Sequence, residues 1–226
     1  MAQEKLAARI FDSVVRRYDR FLRFTTFGLI DRWQEILVEN TPAGNFPVDV
    51  GTGTGEVVKK LLRRYPDSKP AGVDVAPNML KKAMEKTRGS EAVFIQASAY
   101  NLPFKKNSVT SILMSLVFRH LDAEKAVEEF SSVLKEGGYI GILDISKPSK
   151  LLFSLIFFFA NRIFRPLGQI IFSREEYDYF MESVLNSRSP EELEAFFRKK
   201  GFSMVYSSTH FLGMIVIAVF KKEAKD

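Results

Sequence analysis

The 226-residue chain is 46% hydrophobic and 27% charged, the balance of a folded protein whose length suits one domain with a substantial core. It contains no Cys and two His, which excludes disulfide scaffolds, thiol catalysis and Cys- or His-rich metal sites, and no metal is expected. Its 33 Lys and Arg against 27 Asp and Glu give a formal charge of +6, a tilt toward anionic partners that many proteins carry for solubility alone.

The N-terminus mixes acids and bases without an uninterrupted apolar core, so it does not read as a secretory signal, and a cytoplasmic location is expected. Residues 1–40 are expected to form helices ahead of the first strand. From Pro47 onward, short β-rich runs alternate with amphipathic helical patterns. The strands are predicted at Pro47 to Gly51, Ala71 to Val75, Val93 to Ala97, Val109 to Leu116 and Tyr139 to Ile145. The first four are nearly continuous apolar runs, of the kind buried on both faces of a parallel sheet. Helices are predicted at Glu56 to Tyr65, Pro77 to Arg88 and Ala123 to Lys135, the last stopping at Gly137-Gly138.

A helical insert, residues 149–188, follows the fifth strand. Its longest uncharged apolar run, Leu151 to Asn161, has 11 residues, short of the ~20 needed to cross a bilayer. Ser189 then caps a helix that opens on Pro190 and stops at Gly201. Strands at Ser203 to Phe211 and Met214 to Lys221, joined by a short turn at Leu212-Gly213, must form an antiparallel hairpin. The whole reads as a doubly wound, mostly parallel seven-stranded α/β sheet ending in that hairpin. The hairpin is not the usual finish of a Rossmann dehydrogenase.

The segment Asp49-Val50-Gly51-Thr52-Gly53-Thr54-Gly55-Glu56 follows a predicted strand and opens a helix. Alternate glycines let the backbone turn tightly and let a ligand lie against bare peptide. A dinucleotide fingerprint would place its third glycine where this chain has Glu56, and a carboxylate there opposes a pyrophosphate. It suits a ligand that has no phosphate and carries positive charge. Asp74 ends the next strand, 23 residues after Gly51, where an acid can accept both hydroxyls of a ribose. Loop and acid together indicate an adenosine-containing ligand.

This loop, with "QASAYNLPF" after the third strand and "VLKEGG" before the fifth, resembles the class I S-adenosylmethionine-dependent methyltransferases over residues 47–221. The resemblance implies S-adenosylmethionine as cofactor. Its ribose would be held by Asp74 and its methionine end would lie near Asp49, Gly51 and Thr54, with Gly53, Gly55, Val75 and Ser115 also in the cofactor site. The adenine would lie near Ser98, Ala99 and Asn101. The chain would then comprise one methyltransferase domain, 1–226, with an N-terminal helical lid (1–40), a cofactor-binding core (47–146), an acceptor lid (149–188) and the C-terminal helix and hairpin (189–226).

More closely, "FDSVVRRYD", "YDRFLRFTTFGLIDRW", "SLVFRHLD", "LDISKPS" and "SREEYDYFMESV" resemble the ubiquinone and menaquinone biosynthesis C-methyltransferases. Tyr18, Asp19 and Trp33 fall at matching spacing, whereas Leu22 and Ile30 stand where that family has Asn and His, and Ser132 and Glu136 where it has Arg and Pro. The resemblance implies methyl transfer to a ring carbon of a hydroquinol, with Tyr18, Arg119, Asp144, Tyr177 and Tyr179 near the acceptor. Carbon attack is easier once a phenolic proton is removed, so a base and a cation are useful. His120 is the first candidate base and Arg119 the candidate for stabilising the phenolate. The structural alternatives are a polar His near a helix start, an Arg119 salt bridge with Asp122 or Asp144, and an amphipathic helix that buries the two tyrosines.

The chain has 21 Phe against 7 Tyr and 1 Trp, and six Phe fall in the 22 residues Leu151 to Phe172. No acid occurs between Asp144 and Glu175, while Lys147, Lys150, Arg162 and Arg165 do. Phe11, Phe21, Phe24 and Phe27 repeat the theme among Arg16, Arg17, Arg20 and Arg23. Two readings stay open, lids over an apolar pocket and peripheral contact with an anionic membrane. A small lipophilic aromatic substrate is expected, a homodimer is left open, and no nucleic acid partner is expected because the bases are interleaved with Phe. Another lipophilic or phenolic acceptor, and a non-catalytic cofactor-binding regulator, are the rival functions.

Overall fold

The computed structural model describes residues 19–20, 22–147 and 183–224. Helix α1 (Leu29–Asn40) precedes strand β1 (Pro47–Val50), followed by α2 (Glu56–Arg64), β2 (Ala71–Asp74), α3 (Pro77–Lys86) and β3 (Val93–Gln96). Strand β4 (Val109–Ser115) leads through a short 3-10 turn at Phe118–His120 into α4 (Ala123–Val133) and β5 (Leu134–Ile145). Helix α5 (Pro190–Lys199) and strands β6 (Phe202–His210) and β7 (Ile215–Lys222) complete the described chain.

The strands form one sheet in the order β3-β2-β1-β4-β5-β7-β6. All neighbours from β3 to β5 are parallel, and β7 runs antiparallel to both β5 and β6. The strand order reverses between β1 and β4, which opens a crevice at their carboxyl ends. Alternation along the strands explains why both faces are covered. Ile112 and Met114 of β4, with Ile140 and Ile142 of β5, pack with Phe130 of α4 and Phe197 of α5 on one face. Leu113 and Leu143 point to the other face and meet Ile30, Trp33 and Leu37 of α1. Phe197 stacks on Phe220 with 4.1 Å between ring centroids, so part of the Phe excess serves the core.

Two elements depart from expectation. Strand β3 reads as buried on both faces but lies at the sheet edge, with Val93 53% exposed. A short, mostly apolar run has the same pattern at an edge as in the centre, and only the strand order separates them. Helix α4 was expected to run to Lys135 and stop at Gly137-Gly138, yet it ends at Val133 and both glycines lie within β5. The Lys222 ammonium, buried beneath this end, donates to the carbonyls of Ser131 and Leu134 at 2.9 Å each. A partner from the last strand thus closes the helix one turn before the glycines.

The expected insert, residues 149–188, lies outside the described residues up to position 182, and with it most of the Phe-rich segment.

Candidate active site

Strand β1 ends beneath the reversal of strand order, and the turn that leaves it is shaped by glycines at φ of 68° (Gly51), 52° (Gly53) and 80° (Gly55). These left-handed values disfavour side-chain-bearing residues. At Gly51 space adds a second reason, because a Cβ would lie 2.5 Å from Val117 Cγ2. The turn is fastened to β2: the N–H groups of Gly51 and Thr52 both donate to the Val73 carbonyl, at 2.8 and 3.0 Å. The Gly53 N–H donates to Asp74 Oδ2 at 2.8 Å and the Ala76 N–H to Asp74 Oδ1 at 2.9 Å. Asp74 is thus oriented by backbone donors on both oxygens, and it lines the cavity.

Asp49, 1% exposed, is the most unusual group in the cavity wall. Neither of its carboxylate oxygens, nor the Thr52 hydroxyl, has a hydrogen-bond partner of ordinary geometry among the described residues. Burial pushes its pKa up to about 7, with the Thr52 hydroxyl working against the rise and the Asp74 carboxylate adding to it. A buried carboxylate without a partner is costly and keeps its proton unless a cation arrives. The cavity therefore has an unmet demand for positive charge beside a bare glycine turn.

At the mouth of the turn, Asp19 joins the N-terminal segment to this loop. Its carboxylate accepts from the Thr54 hydroxyl at 2.6 Å and from Lys86 of α3 at 2.7 Å, and Lys86 also reaches Thr54 Oγ1 at 2.8 Å and Glu56 Oε1 at 2.6 Å. Burial alone would raise the Asp19 pKa, but the bonds from Lys86 and Thr54 and the charges of Lys86 and Lys82 outweigh it and hold the acid below its usual range. Glu56, the residue that argues against a pyrophosphate, thereby shares Lys86 with Asp19 and remains in the cavity wall.

The segment after β4 forms the opposite wall. Leu116 holds a left-handed φ of 63°, and Leu116, Val117, His120 and Leu121 face the cavity with Leu22 from the N-terminal segment. Burial, and secondarily the Arg119 guanidinium, push the His120 pKa down to about 2, so the imidazole is neutral at any physiological pH. Arg119 itself is 9% exposed and does not line the cavity. Its guanidinium donates to Asp144 Oδ1 at 2.5 Å, to the Leu116 carbonyl at 2.8 Å and to the Ser183 hydroxyl at 3.3 Å, and its backbone N–H donates to Asp144 Oδ2 at 2.9 Å. Of the roles weighed for Arg119, this geometry is the salt bridge with Asp144 rather than a phenolate contact. Asp144, expected near the acceptor, is the other half of that pair.

One cavity thus brings together Asp49, Gly51, Gly53, Thr54, Asp74, Val75, Ala99, Ser115 and His120. Gly55 is withdrawn against Ala83, 2.9 Å from where its Cβ would be, and Ser98 and Asn101 pair with each other in an isolated bridge outside the wall. Tyr18, Tyr177 and Tyr179 lie outside the described residues. Sequence reasoning did not single out Gln34, Thr52, Met79, Tyr100, Leu116, Val117 and Leu121, all of which line the cavity. Thr52, Tyr100, Leu116, Val117 and Leu121 sit inside segments that carry the resemblance, where only the fold picks out the lining residues, whereas Gln34 and Met79 carry no motif signal until their helices are seated on the sheet.

Residues 1–222 match the model of the ubiE/COQ5 methyltransferase family. A demethylmenaquinone methyltransferase of Thermus thermophilus is 34% identical over 206 residues, covering 87% of this chain and 93% of the relative. A ubiquinone/menaquinone biosynthesis C-methyltransferase of Desulfotalea psychrophila is 30% identical over 92% of this chain and 87% of its own length. Among solved structures, a SAM-dependent methyltransferase from Thermotoga maritima superposes with a TM-score of 0.65 at 22% identity, covering 95% of this chain and 99% of that one, a likeness of fold.

The Asp49 shift carries a stability consequence. The unfolded chain releases this proton near the ordinary carboxylate value and the folded chain only near 7, so between those values only the folded state holds it. The group's contribution to stability therefore falls as pH rises toward 7. In calorimetric scans of ligand-free protein between about pH 4 and about pH 7.5, wild type is expected to lose thermal stability relative to Asp49→Asn. Parallel profiles for the two proteins would contradict the shift.

Proposed function

The chain belongs to the ubiE/COQ5 methyltransferase family, and on that premise we propose that it methylates a ring carbon of a lipophilic hydroquinol in quinone biosynthesis. It is an S-adenosylmethionine-dependent methyltransferase. When bound, the cofactor supplies an electrophilic methyl group on a sulfonium, together with an amino-acid ammonium group. The residues present fit such a ligand on one observation: the buried Asp49 carboxyl, unpartnered among the described residues, needs a cation beside a turn that leaves backbone bare. In our reading Asp49 and the Gly51–Thr54 turn hold the cationic end, Asp74 the ribose hydroxyls, and Val75 and Ala99 the flanks of the adenine.

The observation that carries the acceptor class is the apolar wall of Leu22, Leu116, Val117 and Leu121 with His120 set into it. Such a wall excludes water and fits a ring rather than a charged or sugar-like acceptor. The named activities of the relatives, demethylmenaquinone and ubiquinone/menaquinone C-methylation, agree with it. A neutral imidazole can accept a phenolic proton at a ring nitrogen. His120 is a poor base toward water, since burial opposes its positive charge. Toward a phenol in the same dry site the balance differs, because the phenolate formed beside it stabilises the imidazolium. Deprotonation raises electron density on the ring carbons, which is what carbon attack requires. Arg119 acts one step removed: with Asp144 it fixes the backbone of the segment that carries His120.

We also propose that the carboxyl edge of the sheet meets an anionic membrane. Among the described residues no helix is long and apolar enough to cross one. Phe24 and Phe27 are each 82% exposed just before α1, and Phe211 and Leu212 are 43% and 78% exposed on the β6–β7 turn. Trp33 of α1 touches Phe211, with 6.3 Å between ring centroids, which brings the start of α1 to that turn. Phe27, Phe211 and Leu212 hold left-handed φ values of 52°, 51° and 57°, so backbone strain accompanies the exposure. The chain from 145 to 174, which leaves the same edge, carries bases and no acid. Apolar tips on an edge from which a chain of basic sequence departs suit an anionic interface through which a lipid-borne acceptor enters.

Two measurements test these readings. With short-chain hydroquinols and isotopically methyl-labelled cofactor, mass spectrometry should find one methyl group on a ring carbon. His120→Ala should lower turnover about 100-fold while cofactor affinity stays within about twofold of wild type. Transfer to no hydroquinol would overturn the acceptor class, and unchanged turnover in the variant would remove His120 as base. In flotation with vesicles containing an anionic phospholipid, the wild type should co-float. The combined variant Phe24→Ser, Phe27→Ser, Leu212→Ser should not, while keeping activity on a short-chain acceptor. Wild-type protein that stays with the soluble fraction would leave the apolar edge as a lid alone.

A further inference from the structure

Helix α1 presents one polar side chain to the cavity that no motif marks. Gln34 is 7% exposed and donates from Nε2 to Ser115 Oγ at 3.2 Å. Its Oε1 has no hydrogen-bond partner among the described residues, although Gln34 lines the cavity. A primary amide buried to this degree is costly with its oxygen unmet, so the arrangement demands a hydrogen-bond donor from whatever fills the space. Ser115 ends β4, directly before the strained Leu116, and Gln34 stands one helical turn after Ile30 on the same face of α1. Ile30 is buried in the apolar core, which leaves Gln34 as the polar group that this face offers to the cavity.

We propose that Gln34 is a specificity-determining residue that accepts a hydrogen bond from a hydroxyl of the acceptor ring. The inference rests on the hydroquinol reading above and assigns the second of its two polar contacts. A hydroquinol carries two hydroxyls on an otherwise apolar ring. With Leu22, Leu116, Val117 and Leu121 the cavity lining includes His120 after β4 and Gln34 on α1, polar side chains of matching kind. The neutral amide oxygen suits a neutral hydroxyl. The cationic end of the cofactor has its own counter-group in Asp49, on the strand next to the one that ends at Ser115, so the two sites adjoin there. Ser115 Oγ, as acceptor from Nε2, fixes the amide plane and so determines where Oε1 points.

The test is equilibrium binding to the protein saturated with S-adenosylhomocysteine, in which no methyl group can move. Two probes are used, a short-chain hydroquinol and the matching phenol that lacks one hydroxyl. Wild type should bind the hydroquinol about tenfold more tightly than the better-placed phenol. Gln34→Met, close in shape, should bind hydroquinol and phenol alike, with S-adenosylhomocysteine affinity within about twofold of wild type. Ser115→Ala, which keeps the amide but frees its plane, should lose part of the discrimination and verifies the relay if Gln34→Met folds poorly. Full discrimination retained in both variants would overturn the inference while leaving the hydroquinol reading intact. Weakened S-adenosylhomocysteine binding with unchanged discrimination would also overturn it and would place Gln34 in the cofactor cradle. Failure of the wild type to bind any hydroquinol would overturn both.

Discussion

A single buried carboxyl organises this molecule's functional edge. Asp49 lies near the end of the first strand where the sheet reverses its strand order, and among the described residues no cation is paired with it. Burying such a group is unfavourable in the ligand-free protein, and the cost is tolerable only because the group keeps its proton. The surroundings are arranged around that constraint. The glycine turn keeps side chains out of the space above it, Asp74 is preset by backbone donors on both oxygens, and Lys86 with Lys82 offsets the charges of Asp19 and Glu56. A cation is what the site lacks, and a sulfonium ligand with an ammonium group supplies one.

A second buried carboxylate at the same edge shows the contrast. Asp144 lies at the end of β5 with Arg119 against it, and that pair is closed by the Leu116 carbonyl and the Ser183 hydroxyl. Ser183 is among the first described residues after position 182, so the ion pair ties the end of β4, the end of β5 and the returning chain into one knot. Removing one partner from a pair buried to this depth costs about 3–5 kcal/mol, which marks it as a scaffold element. The scaffold nonetheless reaches function, because it holds the backbone that presents Leu116, Val117 and His120. Two acids of similar burial thus differ in role through their partners: Asp144 is satisfied within the fold, and Asp49 waits for a ligand.

The cofactor half of the site was legible in the sequence because it is local. A glycine turn, an acid at a fixed distance and alternating strands and helices are patterns of neighbouring residues, and the sheet that places them follows from the same alternation. The acceptor half was legible only in part. His120 lies in the cavity wall as a residue following the fourth strand should, but Arg119 could not be separated from a salt-bridge residue until the end of β5 was beside it. Gln34 carried no signal at all, since a Gln on an amphipathic helix is ordinary until the helix is seated against Ser115. The edge position of β3 and the early end of α4 failed for a similar reason: strand order and the Lys222 side chain, both distant in sequence, decide them.

In our reading Asp49 surrenders its proton to admit a cation. This exchange is tested most directly by titrating S-adenosylmethionine calorimetrically at about pH 6, below the raised value of this acid, in buffers of differing ionisation enthalpy. Proton release on binding is expected, read as an observed enthalpy that changes with the buffer, with loss of that dependence in Asp49→Asn. A wild-type binding enthalpy that is the same in every buffer would contradict it.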